Sequence, residues 1–459
     1  MRSGGDQVAQ HDIEPARAAG RPARLSRDQR RVVHAATIGF FVDVVDIYLP
    51  TVVLAPAMAY FQPPGSAVAT STTMFYVVFA VTLLARPVGS VIFGHIADSV
   101  GRRAATTIAI PGVAICTLLT AALPGYAAWG IGAYVLLTVI RFVGGIFMGG
   151  ATAGLTPLAM EVTPKPMRGL VGGYTNIGYP LGAATISLVT TVMLKLVPAH
   201  GAGSPYVEWG WRIPFIFGGL LALAYVVYFR RVVGESPLWQ GASTGSGPKR
   251  RPLAELMRGR NRRSLLQVLL LMTGIWMGFH AITSAVSGVL VTYLDRPAST
   301  VTSSLMIANV VLAACYFGYA VLGQRIGRRR LLIGGGVSVA TLGAGLYAIA
   351  LANADHGGSL AITMVLVGVC MVLATGLFPV VCTYITERFP TEVRSTGWAV
   401  GYQVAVILPS LYSFYMLGLG NLMPYVYTPV VLVVIGGVIV AIGAWLGPET
   451  RDIDLEEVR

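Results

Sequence analysis

Gly94-His95-Ile96-Ala97-Asp98-Ser99-Val100-Gly101-Arg102-Arg103 interrupts an otherwise oily chain, and Gln324-Arg325-Ile326-Gly327-Arg328-Arg329 repeats its second part. Gly327 stands 226 positions after Gly101. A separate set, Glu161, Pro164 and Arg168, returns as Glu387, Pro390 and Arg394 with the same shift of 226. Two matches that agree on one offset indicate an internal duplication, a pattern that in membrane proteins builds a carrier with its site between the halves.

The duplicated unit is a block of six apolar runs. A bilayer core of about 30 Å needs about 20 apolar residues in helical form. The chain supplies twelve such runs, near 33–58, 72–97, 104–124, 131–160, 169–195, 211–231, 264–290, 301–323, 331–352, 360–386, 394–419 and 426–446. Composition agrees, since 55% hydrophobic and 12% charged residues over 459 positions is too apolar for a water-facing surface. The expected class is an all-α membrane protein of twelve transmembrane helices in two six-helix bundles related by a pseudo-twofold axis.

The basic residues test the count, because short cytoplasmic loops are enriched in Lys and Arg. With the N-terminus inside, 28 of the 33 basic residues fall in cytoplasmic connections. Lys195, Arg212 and Arg296 lie at the opposite edge, and Arg86 and Arg141 lie within spans. Both termini are therefore expected in the cytoplasm. The expected units are a tail over 1–32, a first bundle over 33–231, a basic linker over 232–263, a second bundle over 264–446 and a tail over 447–459. The net charge of +13 sits between apolar runs rather than on one aromatic-bearing face, which argues against nucleic acid. It points instead to anionic lipid headgroups on the cytoplasmic side. Cys116, Cys315, Cys370 and Cys382 all fall in apolar segments and read as packing residues, with no metal site.

These residues resemble the major facilitator superfamily over essentially the whole chain. Gly94 to Arg103 looks like its loop motif between helices two and three, departing at Ser99, where a basic residue is usual. Within it the chain is most similar to the metabolite:proton symporter group, which includes carriers of shikimate, oxoglutarate, citrate and proline or betaine. The resemblance rests on Arg86-Pro87-Val88-Gly89, on Trp211-Arg212-Ile213-Pro214-Phe215, and on Phe389-Pro390-Thr391-Glu392-Val393-Arg394-Ser395-Thr396-Gly397. Glu235-Ser236-Pro237 and Pro448-Glu449-Thr450 are similar to sugar porters. The resemblance implies alternating access, and a latch in which Asp98 joins the halves with the eleventh helix, and so Arg394, as partner. Because the second copy carries Gln324 in place of the acid, the gate is expected to lean on Asp98 alone. Arg102, Arg103 and Arg328 belong to the same gating set. Glu161 with Arg168, and Glu387 with Arg394, read equally well as simple surface pairs.

Of 20 acidic residues, Asp43 and Asp46 lie deep in an apolar span. A carboxylate there costs on the order of 3 kcal/mol, so its presence asks for a partner or a task. The two share one helical face, and Arg141 in the fourth span should reach the same depth of about 15 Å. The expectation is an ion pair between Arg141 and one aspartate. The other, without a cation of its own, is expected to hold a proton readily and so couple transport to protons; the resembling group has two acids at this spacing. The alternative is a static pair that only fastens helices one and four. Arg86 precedes Pro87, expected to kink the second span, and is a candidate for an anionic substrate or for a helix-end carbonyl. Arg141, freed when an aspartate takes a proton, is expected to meet an anionic or zwitterionic substrate; His280 with Trp276 one turn before it, Asn176, Tyr179, Asn309, Tyr402 and Gln403 complete the substrate candidates, each also readable as interhelical packing. The glycines at 145, 149, 150, 154, 172, 173 and 178 are expected to let helices approach closely.

No nucleophile, base or metal-ligand cluster marks an enzyme. The expected protein is a secondary transporter in a bacterial inner membrane, monomeric and without cofactor, carrying a small organic acid or zwitterion in symport with protons. A uniporter, a sugar or drug carrier of the same fold, and a solute-sensing receptor are the other readings.

Overall fold

The computed structural model describes residues 24–65, 68–198, 203–235, 252–294 and 296–455. Among them twelve helices are long and apolar enough to cross a membrane. They are α1 Arg27–Val53, α2 Val77–Ser99, α3 Arg102–Ala121, α4 Ile131–Glu161, α5 Lys165–Leu196, α6 Tyr206–Val232, α7 Gly259–Leu290, α8 Ser303–Ile326, α9 Arg328–Asp355, α10 Leu360–Thr386, α11 Arg394–Leu419 and α12 Tyr425–Trp445. Residues 1–23 and 236–251, with most of the expected tail and linker, lie outside the described residues. α1 starts at Arg27 rather than at 33, because Ser26 and Gln29 form a reciprocal capping box that extends the helix by a polar turn. A short helix, Pro252–Leu256, precedes α7.

The duplication is visible in the backbone. Gly101 and Gly327 stand at matching N-caps of α3 and α9 with φ of 136° and 102°, a region that L side chains rarely adopt. In the first bundle α4 packs on α2 and α3, α6 on α3, and α1 on α5 and α6; in the second, α12 packs on α7 and α9. A Cβ on Gly149 would stand 2.1 Å from the Arg86 carbonyl oxygen, so α2 and α4 touch backbone to backbone. α2 continues as a helix through Pro87. Val88, Ile92, Ile115, Leu119 and Val139 remain about half exposed, as a lipid-facing surface requires.

The bundles meet along a seam where α2 and α4 contact α11, and α5 contacts α8 and α10. α5 approaches closely there, since a Cβ on Gly172 would lie 2.1 Å from the Thr383 hydroxyl. Several helices are interrupted near the seam, among them α5 at Ile177 and α10 at Gly376 and Leu377. α7 carries a π-helical turn at His280–Ser284 and ends in a second, Gly288–Tyr293, that runs past Leu290, and α11 tightens to a 3-10 turn at Val404–Val406, immediately after Gln403. Such turns re-aim side chains inside a span without leaving backbone groups bare.

Candidate transport site

Asp43 and Asp46 are both buried on α1, and each has its own arginine. Arg141 Nη2 lies 3.5 Å from Asp46 Oδ2, joining α4 to α1 at the depth that residue counting assigns. Thr117 of α3 donates to the other oxygen of Asp46. Arg86 Nη2 donates to Asp43 Oδ2 at 3.2 Å. The expectation that one aspartate has no cation is therefore corrected. Arg86 lies 13 residues before Ser99, so α2 carries it roughly 20 Å in, level with Asp43.

Arg86 also crosses the seam, its Nε donating to Gln403 Oε1 at 3.2 Å. Two carboxylates and two guanidiniums thus form a neutral set in the apolar core, with one member bonded to the opposite bundle. The set is not saturated. Asp43 Oδ1 and all three Arg141 nitrogens are buried without a hydrogen bond among the described residues, the 3.5 Å ion pair being the sole polar contact of Arg141 with Asp46.

On the second bundle His280 stacks between Trp276, 6.0 Å away at 28°, and Tyr412, 5.5 Å away at 8°. Its Nδ1 meets Ser284 Oγ at 3.1 Å, while Nε2 is buried without a partner among the described residues. Trp276 Nε1 donates to the Tyr402 carbonyl at 3.0 Å, next to Gln403. Tyr179 bonds Tyr48 at 2.8 Å between hydroxyl oxygens and sets its ring 5.8 Å from that of Phe279 across the seam. Asn176 also sits on the seam, where its Oδ1 receives Cys382 Sγ at 3.6 Å. Asn309 stands apart, its amide nitrogen turned back to Leu305 on its own helix.

At the end of the spans that carries both loop motifs, called here the motif face, a second charge set joins the bundles. Asp98 accepts from Arg102 Nη1 at 2.6 Å and from the backbone N–H groups of Ser395 and Thr396 at 3.1 and 2.7 Å. The same carboxylate thus makes the i, i+4 pair and caps the positive end of α11. Arg102 Nη2 continues to Glu161 at 3.2 Å and to the Thr391 carbonyl at 2.8 Å. Arg394 Nη1 closes the set on Glu161 at 2.9 Å.

Two expectations about this face are corrected. Glu161 pairs with Arg102 and Arg394 rather than Arg168, and Glu387 pairs with Arg328 at 3.2 Å rather than with Arg394. All of these are buried, so they are no surface pairs; packing within each bundle brings Arg102 to Glu161 and Arg328 to Glu387, and docking of the halves adds Arg394 to Glu161. Nor does Asp98 act alone. Gln324 accepts from Gly169 N at 3.2 Å, a neutral counterpart that caps α5 from the other bundle. Burial pushes the Glu387 carboxyl up to about 7, against the lowering influence of Arg328, the Thr450 hydroxyl and Arg168.

Arg103 and Arg329 do not reach the seam; they tie α3 to the Arg230 carbonyl and α9 to the Trp445 carbonyl. Glu235 and Glu449 were legible only as fragments of a family likeness. Each receives two backbone N–H groups at a helix start, Glu235 from Arg102 and Arg103 and Glu449 from Arg328 and Arg329.

The model of the Major Facilitator Superfamily matches residues 36–413. This chain belongs to the major facilitator superfamily. The facilitator is 29% identical over 395 residues to the inner membrane metabolite transport protein YhjE of Escherichia coli strain K12, covering 83% of this chain and 85% of that one. It is 26% identical to the shikimate transporter of the same strain, over 84% of this chain and 86% of the relative. It is likewise 26% identical to the proline/betaine transporter of Salmonella typhimurium, over 89% and 82%. Its fold superposes on the proton:xylose symporter XylE with a TM-score of 0.74 at 18% identity, covering 94% of this chain and 98% of that chain. The facilitator is thus a multi-pass membrane transporter and not an enzyme.

Proposed function

We propose that this facilitator takes up a small carboxylated or zwitterionic metabolite in symport with protons, in a bacterial inner membrane with the motif face in the cytoplasm. The observation that carries this reading is the buried set Asp43, Arg86, Asp46 and Arg141, joined to the second bundle through Gln403. Its charge is balanced when empty. Protonating one aspartate alone leaves a cation unmatched, and adding a carboxylate alone leaves an anion unmatched. Removing one partner from a buried pair costs about 3–5 kcal/mol, so each half-loaded state is penalised by a comparable amount. Proton plus carboxylate restores neutrality, which favours loading and release of both together.

The roles divide by position. Of the two arginines in this set, Arg86 is the one bonded to both bundles, so it is the receptor for the substrate carboxylate, released from Asp43 when that acid takes a proton. Asp46 and Arg141 lie wholly within the first bundle and carry the second titratable pair. The stacked Trp276, His280 and Tyr412 present the opposite wall. The named shikimate and proline/betaine relatives support a small polar metabolite.

The test is a thermal-shift screen with shikimate, citrate, proline, glycine betaine and xylose, followed by uptake of the stabilising solute into proteoliposomes. An inward proton gradient should drive accumulation. Unchanged accumulation after Asp43→Asn and Asp46→Asn together would sink the symport reading, and a response to xylose alone would replace the carboxylate with a sugar.

A further inference from the structure

Beyond α12 the chain turns back across the motif face. Glu449 accepts from Arg328 N at 2.8 Å and Arg329 N at 3.1 Å, Thr450 Oγ1 donates to Glu387 at 2.6 Å, and Arg451 Nη1 donates to the Arg325 carbonyl at 3.0 Å. These contacts fasten residues 449–451 to the second bundle, at the turn between α8 and α9 and at the end of α10. Ile453 then reaches the first bundle, and Leu455 returns to α11 of the second. Arg168 of α5, in the first bundle, donates from Nη1 to the Ile453 carbonyl at 2.9 Å. Arg394 of α11 donates from Nη2 to the Leu455 carbonyl at 2.9 Å, and the Leu455 side chain is only 1% exposed.

The segment therefore spans the seam at the point where Arg394 also grips Glu161 of α4. Arg168 and Arg394 are themselves buried, and the two tail carbonyls satisfy one arm of each. Hydrogen bonds from a charged group are stronger than neutral ones, and losing them strands a buried cation. Both acceptors are main-chain oxygens, so the contact depends on where the segment is held, which Glu449, Thr450 and Leu455 decide.

We propose that residues 449–455 are a strap that holds the motif face shut, and that the bond from Arg168 to Ile453 must part before the bundles separate there. The strap acts on the gate and is independent of the solute and of proton coupling.

Hydrogen exchange measured by mass spectrometry on the purified full chain tests this without a substrate. A chain ended at Asp452 keeps the anchors at Glu449, Thr450 and Arg451 but removes both tail carbonyls. Its amides in residues 161–176 and 387–403 should exchange about tenfold faster, the loss of one charge-assisted hydrogen bond, while α7 and α12 exchange as before. Leu455→Asp in the full-length chain should show the same local pattern. In an Arg168→Gln background, ending the chain at Asp452 should add less for residues 161–176 than it does alone. Unchanged exchange in both tail variants overturns the strap, and so does acceleration spread equally over all twelve spans.

Discussion

Arg86 of α2 holds Asp43 of α1 with one arm and Gln403 of α11 with the other, each at 3.2 Å, so a single guanidinium links the buried acid of one bundle to the backbone break of the other. Gln403 ends the regular helix before the 3-10 turn at Val404–Val406. Arg86 thereby stands between Asp43 and the point where α11 changes its helical geometry.

Arg86→Gln should destabilise the protein by about 3–5 kcal/mol, because Asp43 is left as an unmatched buried charge. Asp43→Asn combined with Arg86→Gln should recover most of that loss, since the double variant has no ion to strand. Thermal unfolding in detergent checks both, and the double variant should still fail in uptake. A double variant no more stable than Arg86→Gln would show that the two residues are not energetically paired.

Asp46→Asn should abolish accumulation driven by a proton gradient while leaving solute exchange between equally loaded compartments measurable. The substitution keeps shape and the hydrogen bond with Thr117 but removes the titratable group. Uptake and counterflow in the same proteoliposomes separate the two activities; equal loss of both would assign Asp46 to structure.

Glu161→Gln should open the motif face. Asp98, Arg102, Glu161 and Arg394 make a neutral buried set, and the substitution leaves it with one uncompensated positive charge. Electron–electron distance measurements between spin labels at the exposed Ser99 and Arg330 should then show a longer separation as the main population. An unaltered distance would mean that the backbone caps from Asp98 to Ser395 and Thr396 suffice.

Glu387 predicts a pH dependence of stability. Its carboxyl is pushed up to about 7 from an ordinary 4.5, so between these values the folded protein holds a proton that the unfolded chain has lost. Stability from this group is therefore highest below about pH 4.5, falls as pH rises towards 7 and is level above, by about 3 kcal/mol at most. Arg328, Arg168 and Glu449 are the charges that face it. Glu387→Gln should flatten this slope, so wild type should lose more melting temperature than the variant between pH 5 and 8. Parallel curves would contradict the prediction.

Much of this molecule was written in one dimension. Twelve apolar runs dictate twelve helices because a backbone in hydrocarbon must satisfy its own hydrogen bonds, and the repeated offset between Gly101 and Gly327 dictates two like bundles with like caps. Depth was legible too, since rise per residue is fixed, and it placed Arg141 level with Asp46. What residue counting cannot supply is azimuth, the direction in which a helix faces once packed. That decided that Arg86 takes Asp43, that Glu161 prefers Arg102 and Arg394 to its near neighbour Arg168, and that Gln324 serves a cap in the opposite bundle. It also laid the segment at 449–455 across a seam that local sequence does not contain. Sequence fixes how far along a helix a charge sits; only packing between helices decides which other charge it meets.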